Sequence, residues 1–136
     1  CKVGGEIENS ILHSYSNKQH DGFLGHAYIG QWVNLAADTI NSDLKNTYGT
    51  IRVWTPDGDR DSQLVKVGCF LGDHVKIGVG TLLNTGTVIG AGSNVFGGVM
   101  PPTVVPPFAW GAGADLRDYR FEQFIRVAEA AMARRG

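Results

Sequence analysis

The densest group of polar side chains lies at residues 16–21, which read Ser-Asn-Lys-Gln-His-Asp. His20 is the member with the most versatile chemistry, because an imidazole titrates near neutral pH and can accept a proton from an attacking nucleophile. A histidine that only bonds to its loop neighbours is the simpler interpretation. Which of the two holds depends on the elements that position residue 20.

Those elements follow a six-residue period. Two runs, 23–41 and 65–100, carry an aliphatic or aromatic residue at every sixth position, with a small or β-branched residue four places later. The leading residues are Phe23, Ile29 and Leu35, then Val65, Leu71, Ile77, Leu83, Ile89 and Val95; the followers are Ala27, Val33 and Thr39, then Cys69, Val75, Thr81, Thr87, Ser93 and Val99.

A period of six matches neither a helix nor a single strand, whose apolar faces repeat every 3.6 and 2 residues. It is typical of short strands and corners wound into a β-helix, in which each leading residue points inward. The predicted fold is therefore all-β, a parallel β-helix whose coils stabilise one another by stacking. Its left-handed sense is taken from the resemblance to hexapeptide-repeat proteins.

Two segments interrupt the repeat. Residues 42–64 contain a Pro-Asp-Gly turn and a strand pattern at 50–54, which predicts a loop or hairpin excursion. Residues 100–113 hold four of the five prolines, so we expect the β-helix to end there. Asp115 and Asp118 then predict the start of a helix over 115–135, with one apolar stripe from Phe121 to Met132.

The expected organisation is a β-helix over 1–113 and a C-terminal helix within 114–136. Because the first residues already resemble a coil, we expect an N-terminal region upstream.

Composition excludes several classes of function. The 136 residues carry a net charge of −1 and no basic block, which argues against a nucleic-acid partner. No apolar run reaches membrane-span length and no signal peptide is visible, so a cytoplasmic location is expected. The two cysteines form no disulfide framework, and Cys69 occupies an inward position where a buried free thiol is expected.

The run HDGFLGHAYIGQWVNLAADT, beginning at His20, carries a specific resemblance. It is similar to the acetyltransferase domain of the bifunctional N-acetylglucosamine-1-phosphate uridylyltransferase / glucosamine-1-phosphate N-acetyltransferase family. The segments YSNKQHDGFLGH and NSDLKNTYG resemble the sugar nucleotidyltransferase branch of that family. The likeness covers residues 16–50 well, and residues 65–100 as a general hexapeptide repeat.

The resemblance implies roles for individual residues. His20 falls on the family's catalytic base, the backbone N–H of Ala37 on its oxyanion donor, and Asn34 on a contact to the acceptor. Other implied contacts are to the acceptor phosphate (Lys18 and Lys45), to the acceptor sugar (Phe23 and Asp43), and to acetyl-CoA (Val79 and Gly97).

Phe23 stands where the family often has tyrosine, and this chain departs from the family pattern at two further positions. Asp38 stands where the family has glycine, which brings a charge close to the expected thioester. Glu8 stands near the position of a basic residue that meets phosphate in the better-known branch.

The function that the resemblance implies is N-acetyl transfer from acetyl-CoA to an amino-sugar phosphate, by a homotrimer that needs no metal. Two alternatives remain open. One is a β-helix that serves only in assembly or regulation of a sugar nucleotidyltransferase. The other is a zinc-dependent carbonic-anhydrase-like trimer, in which His20 and His26, one hexad apart, could stack on the same face.

Overall fold

Short strands separated by tight corners build a three-sided prism, as the six-residue period predicts. The computed structural model describes residues 1–135. In chain order its elements are β1 (Lys2–Val3), β2 (Glu6–Glu8), β3 (Ile11–Leu12), β4 (Asn17–Lys18), β5 (Phe23–Gly25), β6 (Tyr28–Ile29), β7 (Asn34–Leu35), β8 (Ile40–Asn41), β9 (Arg52–Thr55), β10 (Gly58–Asp61), β11 (Phe70–Leu71), β12 (Lys76–Ile77), β13 (Leu82–Leu83), β14 (Val88–Ile89), β15 (Asn94–Phe96), β16 (Val104–Val105), β17 (Ala109–Ala112), β18 (Asp115–Asp118) and α1 (Phe121–Arg135).

Parallel pairing sorts these strands onto three faces. Face 1 contains β1, β4, β7, β12, β15 and β17; face 2 contains β2, β5, β8 and β13; face 3 contains β3, β6, β11, β14 and β16. We name the corners by the faces that they join: corner 1–2, corner 2–3 and corner 3–1. Equivalent residues of successive coils pair directly, as Asn17 does with Asn34 on face 1.

The inward residues form the core. On face 3 the inward column is Leu12, Ile29, Leu71, Ile89 and Val105, and the last four of these are at most 2% exposed. The small residues that follow each leading residue are also buried, from Ala27, Val33 and Thr39 to Cys69, Val75, Thr81, Thr87 and Ser93. Burial raises the pKa of the Cys69 thiol to about 12, which fits a free thiol packed in the core.

Buried polar side chains form hydrogen bonds with backbone groups at the corners of the prism. Thr39, Thr81 and Thr87 each donate a hydrogen bond of 2.8 Å to the carbonyl three residues earlier. Asn41 stands in the inward column of face 2, where its amide accepts from the Gly25 N–H and donates to the Gly25 carbonyl, both at 2.8 Å. A hydroxyl or amide therefore fits inside this prism because a backbone partner lies within reach.

The repeat differs from the sequence prediction at three positions. Leu24, which is 1% exposed, takes the inward position of face 2 that the spacing assigns to Phe23. Val65 and Val99 are 48% and 46% exposed and lie outside the core. For Leu24 the reason is strand register, since a shift of one residue reverses which side chains face inward. Val65 and Val99 lie outside the strands, between β10 and β11 and in the turn after β15.

Residues one hexad apart lie at successive corners of one coil, because one hexad builds one side of the prism. His20 accordingly lies at corner 1–2 and His26 at corner 2–3. The expectation that they stack on the same face is therefore wrong. Residues stack only when they are one full coil apart.

The segment between β8 and β11 leaves the prism at corner 2–3. It contains an antiparallel hairpin, in which β9 pairs with β10 across Pro56 and Asp57. The bridge between Leu44 and Lys66 closes its base.

The C-terminal elements begin later than expected. The prism continues through the proline-rich segment, since β16 and β17 pair in parallel with β14 and β15. Asp115–Asp118 form β18, antiparallel to β17, rather than the first turn of a helix. The helix α1 starts at Phe121; Ala128 is its buried residue, and much of the predicted apolar stripe is exposed.

Two neighbouring leucines of β13 test the assignment of inward and outward positions. Leu83 is 1% exposed and Leu82 is 42% exposed. We expect Leu83→Ala to lower the free energy of unfolding by about 2–5 kcal/mol, because it leaves a cavity. The matched change Leu82→Ala should cost about 0.5 kcal/mol or less. Urea unfolding of the two variants measures the difference, and equal losses would contradict the assignment.

Candidate active site

The loop that carries His20 is held from two sides. The ammonium of Lys18 donates hydrogen bonds to the carbonyls of His20 at 2.7 Å and Gly4 at 3.2 Å. The carbonyl of Asp21 accepts from the N–H of Asp38 at 3.0 Å. Residue 20 is thus fixed against corner 1–2 of the next coil, while its own side chain stays exposed.

Gly22 permits the tight path of this loop. Its φ of 132° lies in the region that favours glycine, and a Cβ there would collide with the Thr39 carbonyl of the coil above. The loop can therefore approach the next coil closely enough to place His20 beside it.

A cavity of about 270 Å³ opens where the His20 loop meets the next coils. Its lining includes His20, Asn34, Ala37 and Val79. The three predicted catalytic residues and one of the two predicted acyl-CoA contacts therefore come together, although up to 59 positions of sequence separate them.

The backbone at Ala37 offers a free donor. Within residues 1–135 the Ala37 N–H has no backbone acceptor, whereas Ala36 donates to Ile77 at 3.1 Å and the Ala37 carbonyl accepts from Gly80 at 2.9 Å. Asp38 has a φ of 61°, a left-handed corner conformation that suits glycine and that aspartate tolerates. This conformation therefore permits an aspartate where the resemblance expects glycine.

Small residues continue this corner toward later coils. Val79 is 66% exposed, and Gly98 lies directly above it, close enough that a Cβ at Gly98 would stand 3.8 Å from the Val79 carbonyl oxygen. The predicted acyl-CoA contact Gly97 precedes Gly98 in an exposed turn. Ala37, Val79 and Gly97 therefore follow one edge of the prism.

The structure places the two predicted phosphate contacts elsewhere. Lys18 lies in the inward column of face 1, in register with Leu35, and is 1% exposed. Burial lowers the pKa of Lys18, while the charges of Asp21 and Asp38 raise it in part. The Lys45 ammonium donates to the Thr50 carbonyl at 2.9 Å within the excursion. Lys18 thus serves to hold the His20 loop.

Asp43 and Phe23 belong to a second group of residues, at corner 2–3. The Asp43 carboxylate lies 2.8 Å from His26 Nδ1, and Asn9 Nδ2 lies 3.3 Å from His26 Nε2. The Phe23 ring and the Asp43 carboxylate converge over Gly25, where a Cβ would collide with both. Neither residue lines the His20 cavity.

A larger cavity on face 1 was not predicted. It has a volume of about 400 Å³, lies between face 1 and the end of α1, and is lined in part by Lys76, Arg134 and Arg135. The Lys76 ammonium donates to the carbonyl of Trp32. The sequence signal for this cavity is the strand register, which places Lys76 directly above Asn34 on face 1. The excursion between the two residues makes that one-coil relation invisible in their sequence separation.

No group of three His, Cys, Asp or Glu residues that could hold a metal ion occurs within residues 1–135. Among the same residues, α1 is the one helix, and it is too short and polar to cross a membrane.

Comparison with known proteins supports the sequence resemblance. The bifunctional protein GlmU of Buchnera aphidicola is 31% identical over 100 residues, which cover 74% of this chain and 20% of that protein. A bifunctional sugar-1-phosphate nucleotidylyltransferase/acetyltransferase of Sulfurisphaera tokodaii is 27% identical over 101 residues, which cover 73% of this chain and 25% of that protein. The chain thus spans a quarter or less of the length of these relatives. No family model matches it.

Solved structures share the fold. The N-acyltransferase AntD of Bacillus cereus, in complex with dTDP and 3-hydroxybutyryl-CoA, aligns with a TM-score of 0.55 at 17% identity, covering 93% of this chain and 71% of AntD. A mutant of the same enzyme, in complex with dTDP and Coenzyme A, aligns with a TM-score of 0.52 at 16% identity, covering 95% of this chain and 84% of the mutant.

The fold defines the chain as a hexapeptide-repeat protein with a left-handed parallel β-helix. In sequence it is related to the bifunctional sugar-1-phosphate nucleotidylyltransferase/acetyltransferases, which confirms the resemblance seen around His20.

Lys76 gives the stability of the fold a measurable pH dependence. Burial and then the charge of Arg135 lower the pKa of Lys76 from 10.5 to about 8. At pH values between these two pKa values, Lys76 keeps its proton in the unfolded chain and loses it in the folded chain. Folding therefore becomes more favourable as the pH rises through this range.

We therefore expect the native chain to gain stability relative to Lys76→Met between pH 7.5 and pH 10, as measured by urea unfolding at each pH. A stability difference that is the same at both pH values would show that Lys76 titrates normally.

Proposed function

We propose that this chain transfers an acetyl group from acetyl-CoA to the amine of an amino-sugar phosphate such as glucosamine-1-phosphate. The observation that carries the proposal is the meeting of His20, Asn34, Ala37 and Val79 in one cavity. The relatives in sequence support it, because one is named a bifunctional sugar-1-phosphate nucleotidylyltransferase/acetyltransferase and the other the bifunctional protein GlmU.

The reaction divides among these groups in a simple way. The amine of the acceptor attacks the thioester carbonyl, the C–N bond forms, and the C–S bond breaks. His20 takes the proton that the amine releases and passes it to the departing thiolate, so the imidazole returns to its starting state. The Ala37 N–H donates to the oxyanion of the tetrahedral intermediate, and Asn34 contacts the acceptor.

The edge of the prism suits an extended thioester donor. Its residues there are small or exposed, from Ala37 past Val79 and Gly80 to Gly97 and Gly98. A pantetheine arm along this edge can bond to backbone groups without meeting bulky side chains. We assign Val79 and Gly97 to the donor on this basis.

We propose that three copies of the chain assemble through face 3. The outward column of that face is wholly apolar and in register: Ile11, Tyr28, Phe70, Val88 and Val104. The outward column of face 1 is polar over the same coils, from Lys2 to Asn94. An extended apolar surface on one side of a prism is typical of an interface between protein chains.

Substitution on face 3 tests the assembly. Tyr28 is 44% exposed, and Tyr28→Glu would place charge in the middle of the apolar column. We expect it to lower the mass measured by sedimentation equilibrium from that of a trimer toward that of one chain. Asn94→Glu on face 1 should leave the mass unchanged. If Tyr28→Glu kept the native mass, face 3 would not be the interface.

Thiol release tests the activity. Free coenzyme A released from acetyl-CoA in the presence of glucosamine-1-phosphate is measured for the native chain, His20→Ala and His13→Gln. We expect His20→Ala to slow release by about 10²–10⁴-fold, because it removes the general base. His13→Gln is the matched control, since His13 packs on Tyr28 at a ring distance of 4.9 Å, away from the cavity.

Equal rates for native chain and His20→Ala would remove His20 from the mechanism. A lack of release with every amino sugar in a panel would favour a β-helix that serves in assembly alone.

A further inference from the structure

The larger cavity, of about 400 Å³, concentrates positive charge. Lys2 and Lys76 stand in the outward column of face 1, separated by Asn17 and Asn34. Arg134 and Arg135 reach the same cavity from the end of α1. Four cationic side chains therefore surround one space.

These cations have no carboxylate partners among residues 1–135, where the ion pairs are His26–Asp43, Arg60–Asp57 and Lys66–Glu8. Lys76 is held in place by its bond to the Trp32 carbonyl, and the charge of Arg135 lowers the pKa of Lys76 beyond the effect of burial. Like charges held close together repel, and an anion between them would relieve that repulsion.

The end of the helix is brought to this cavity by aromatic packing. Phe124 packs on Phe108 with a ring distance of 5.0 Å and on His74 with a ring distance of 5.8 Å. Ala128, one turn further, is 5% exposed. The helix is thus anchored in its first half, so that its last turn projects Arg134 and Arg135 over face 1.

An aromatic wall completes the cavity. Tyr15 and Trp32 line it and stack on each other, with ring centroids 4.2 Å apart and planes within 5°. Both rings project from left-handed corner positions of successive coils. Trp32 also stacks on His74, with ring centroids 6.0 Å apart, so three stacked rings support this side of the cavity.

The cationic cavity and the His20 cavity are neighbours. Gln19 and Asn34 line both of them. An acceptor that follows this shared lining would have its amine beside His20 and its phosphate among the cations, while the edge from Ala37 to Gly97 stays free for the donor.

We propose that the cavity between face 1 and the end of α1 binds the phosphate or diphosphate group of the acceptor, with Lys76 and Arg135 as its principal contacts. This inference rests on the proposed function and names its acceptor class as an amino sugar with a phosphate, either as the sugar phosphate or linked to a nucleotide. It assigns to Lys76 and Arg135 the role that the sequence resemblance assigned to Lys18 and Lys45.

Binding is measured by isothermal titration calorimetry with inorganic pyrophosphate, glucosamine-1-phosphate and uridine diphosphate, for native chain, Lys76→Gln, Arg135→Gln and Arg126→Gln. We expect Lys76→Gln and Arg135→Gln each to weaken pyrophosphate binding by about 10-fold or more, as loss of a charge-assisted hydrogen bond does. Arg126→Gln removes a charge from the same helix outside the cavity and should bind like the native chain. Tighter binding of uridine diphosphate than of glucosamine-1-phosphate would identify a nucleotide-linked acceptor, and the reverse order a sugar phosphate.

Kinetics supply the second readout. Both cavity variants should raise the KM for glucosamine-1-phosphate and leave the KM for acetyl-CoA and for unphosphorylated glucosamine unchanged. Weaker acetyl-CoA binding with unchanged acceptor KM would overturn the inference, because the cavity would then hold the phosphates of the donor. Unchanged pyrophosphate affinity in both variants would also overturn it.

The two proposals can fail separately. If no acyl transfer occurs but the variants lose pyrophosphate binding, the anion site stands and the proposed activity does not. If transfer depends on His20 while the variants bind pyrophosphate normally, the activity stands and the phosphate site is wrong.

Discussion

In-register stacking of parallel strands is the constraint on which the rest of the structure depends. Each coil pairs with the next through the same positions, so residues one coil apart form straight columns. Inward columns are filled by branched aliphatic side chains and small polar groups that bond to corner carbonyls. The outward columns are free to differ, and this chain uses them to build an apolar face 3 and a polar face 1.

The candidate site depends on a deviation from that regular core. Lys18 occupies an inward position where an aliphatic residue would ordinarily stand, and a buried ammonium is costly unless its donors are satisfied. Its hydrogen bonds to Gly4 and His20 supply that satisfaction and fix the loop that carries His20. Lys18 thus replaces an aliphatic side chain in the core, and in return its hydrogen bonds fix the His20 loop beside the Ala37 corner.

Much of this architecture can be predicted from the sequence. The six-residue period identifies the β-helix and most inward positions, and the motif after His20 identifies Asn34 and Ala37, which line one cavity with His20. The period cannot reveal one-residue shifts such as that between Phe23 and Leu24, because both are apolar. Lys18 lies six residues from each of the inward residues Leu12 and Leu24, so the spacing alone would place it inward. Its charge argues against a buried position, and the hydrogen bonds that make burial possible are visible only in the structure. The cationic cavity could not be predicted because Lys2, Lys76 and Arg135 are distant in sequence and the excursion after Asn41 interrupts the spacing between coils. The helix start predicted at Asp115 is a separate case. Asp115 belongs to a strand, and the local sequence does not indicate its antiparallel partner β17.

The central claim is that acyl transfer takes place where the His20 loop meets the Ala37 corner, and a crystal structure of the chain with bound acetyl-CoA tests it most directly. The predicted result places the thioester carbonyl oxygen within hydrogen-bond distance of the Ala37 N–H, with the pantetheine arm running past Val79 toward Gly97. A coenzyme bound at corner 2–3, beside His26 and Asp43, would contradict that claim.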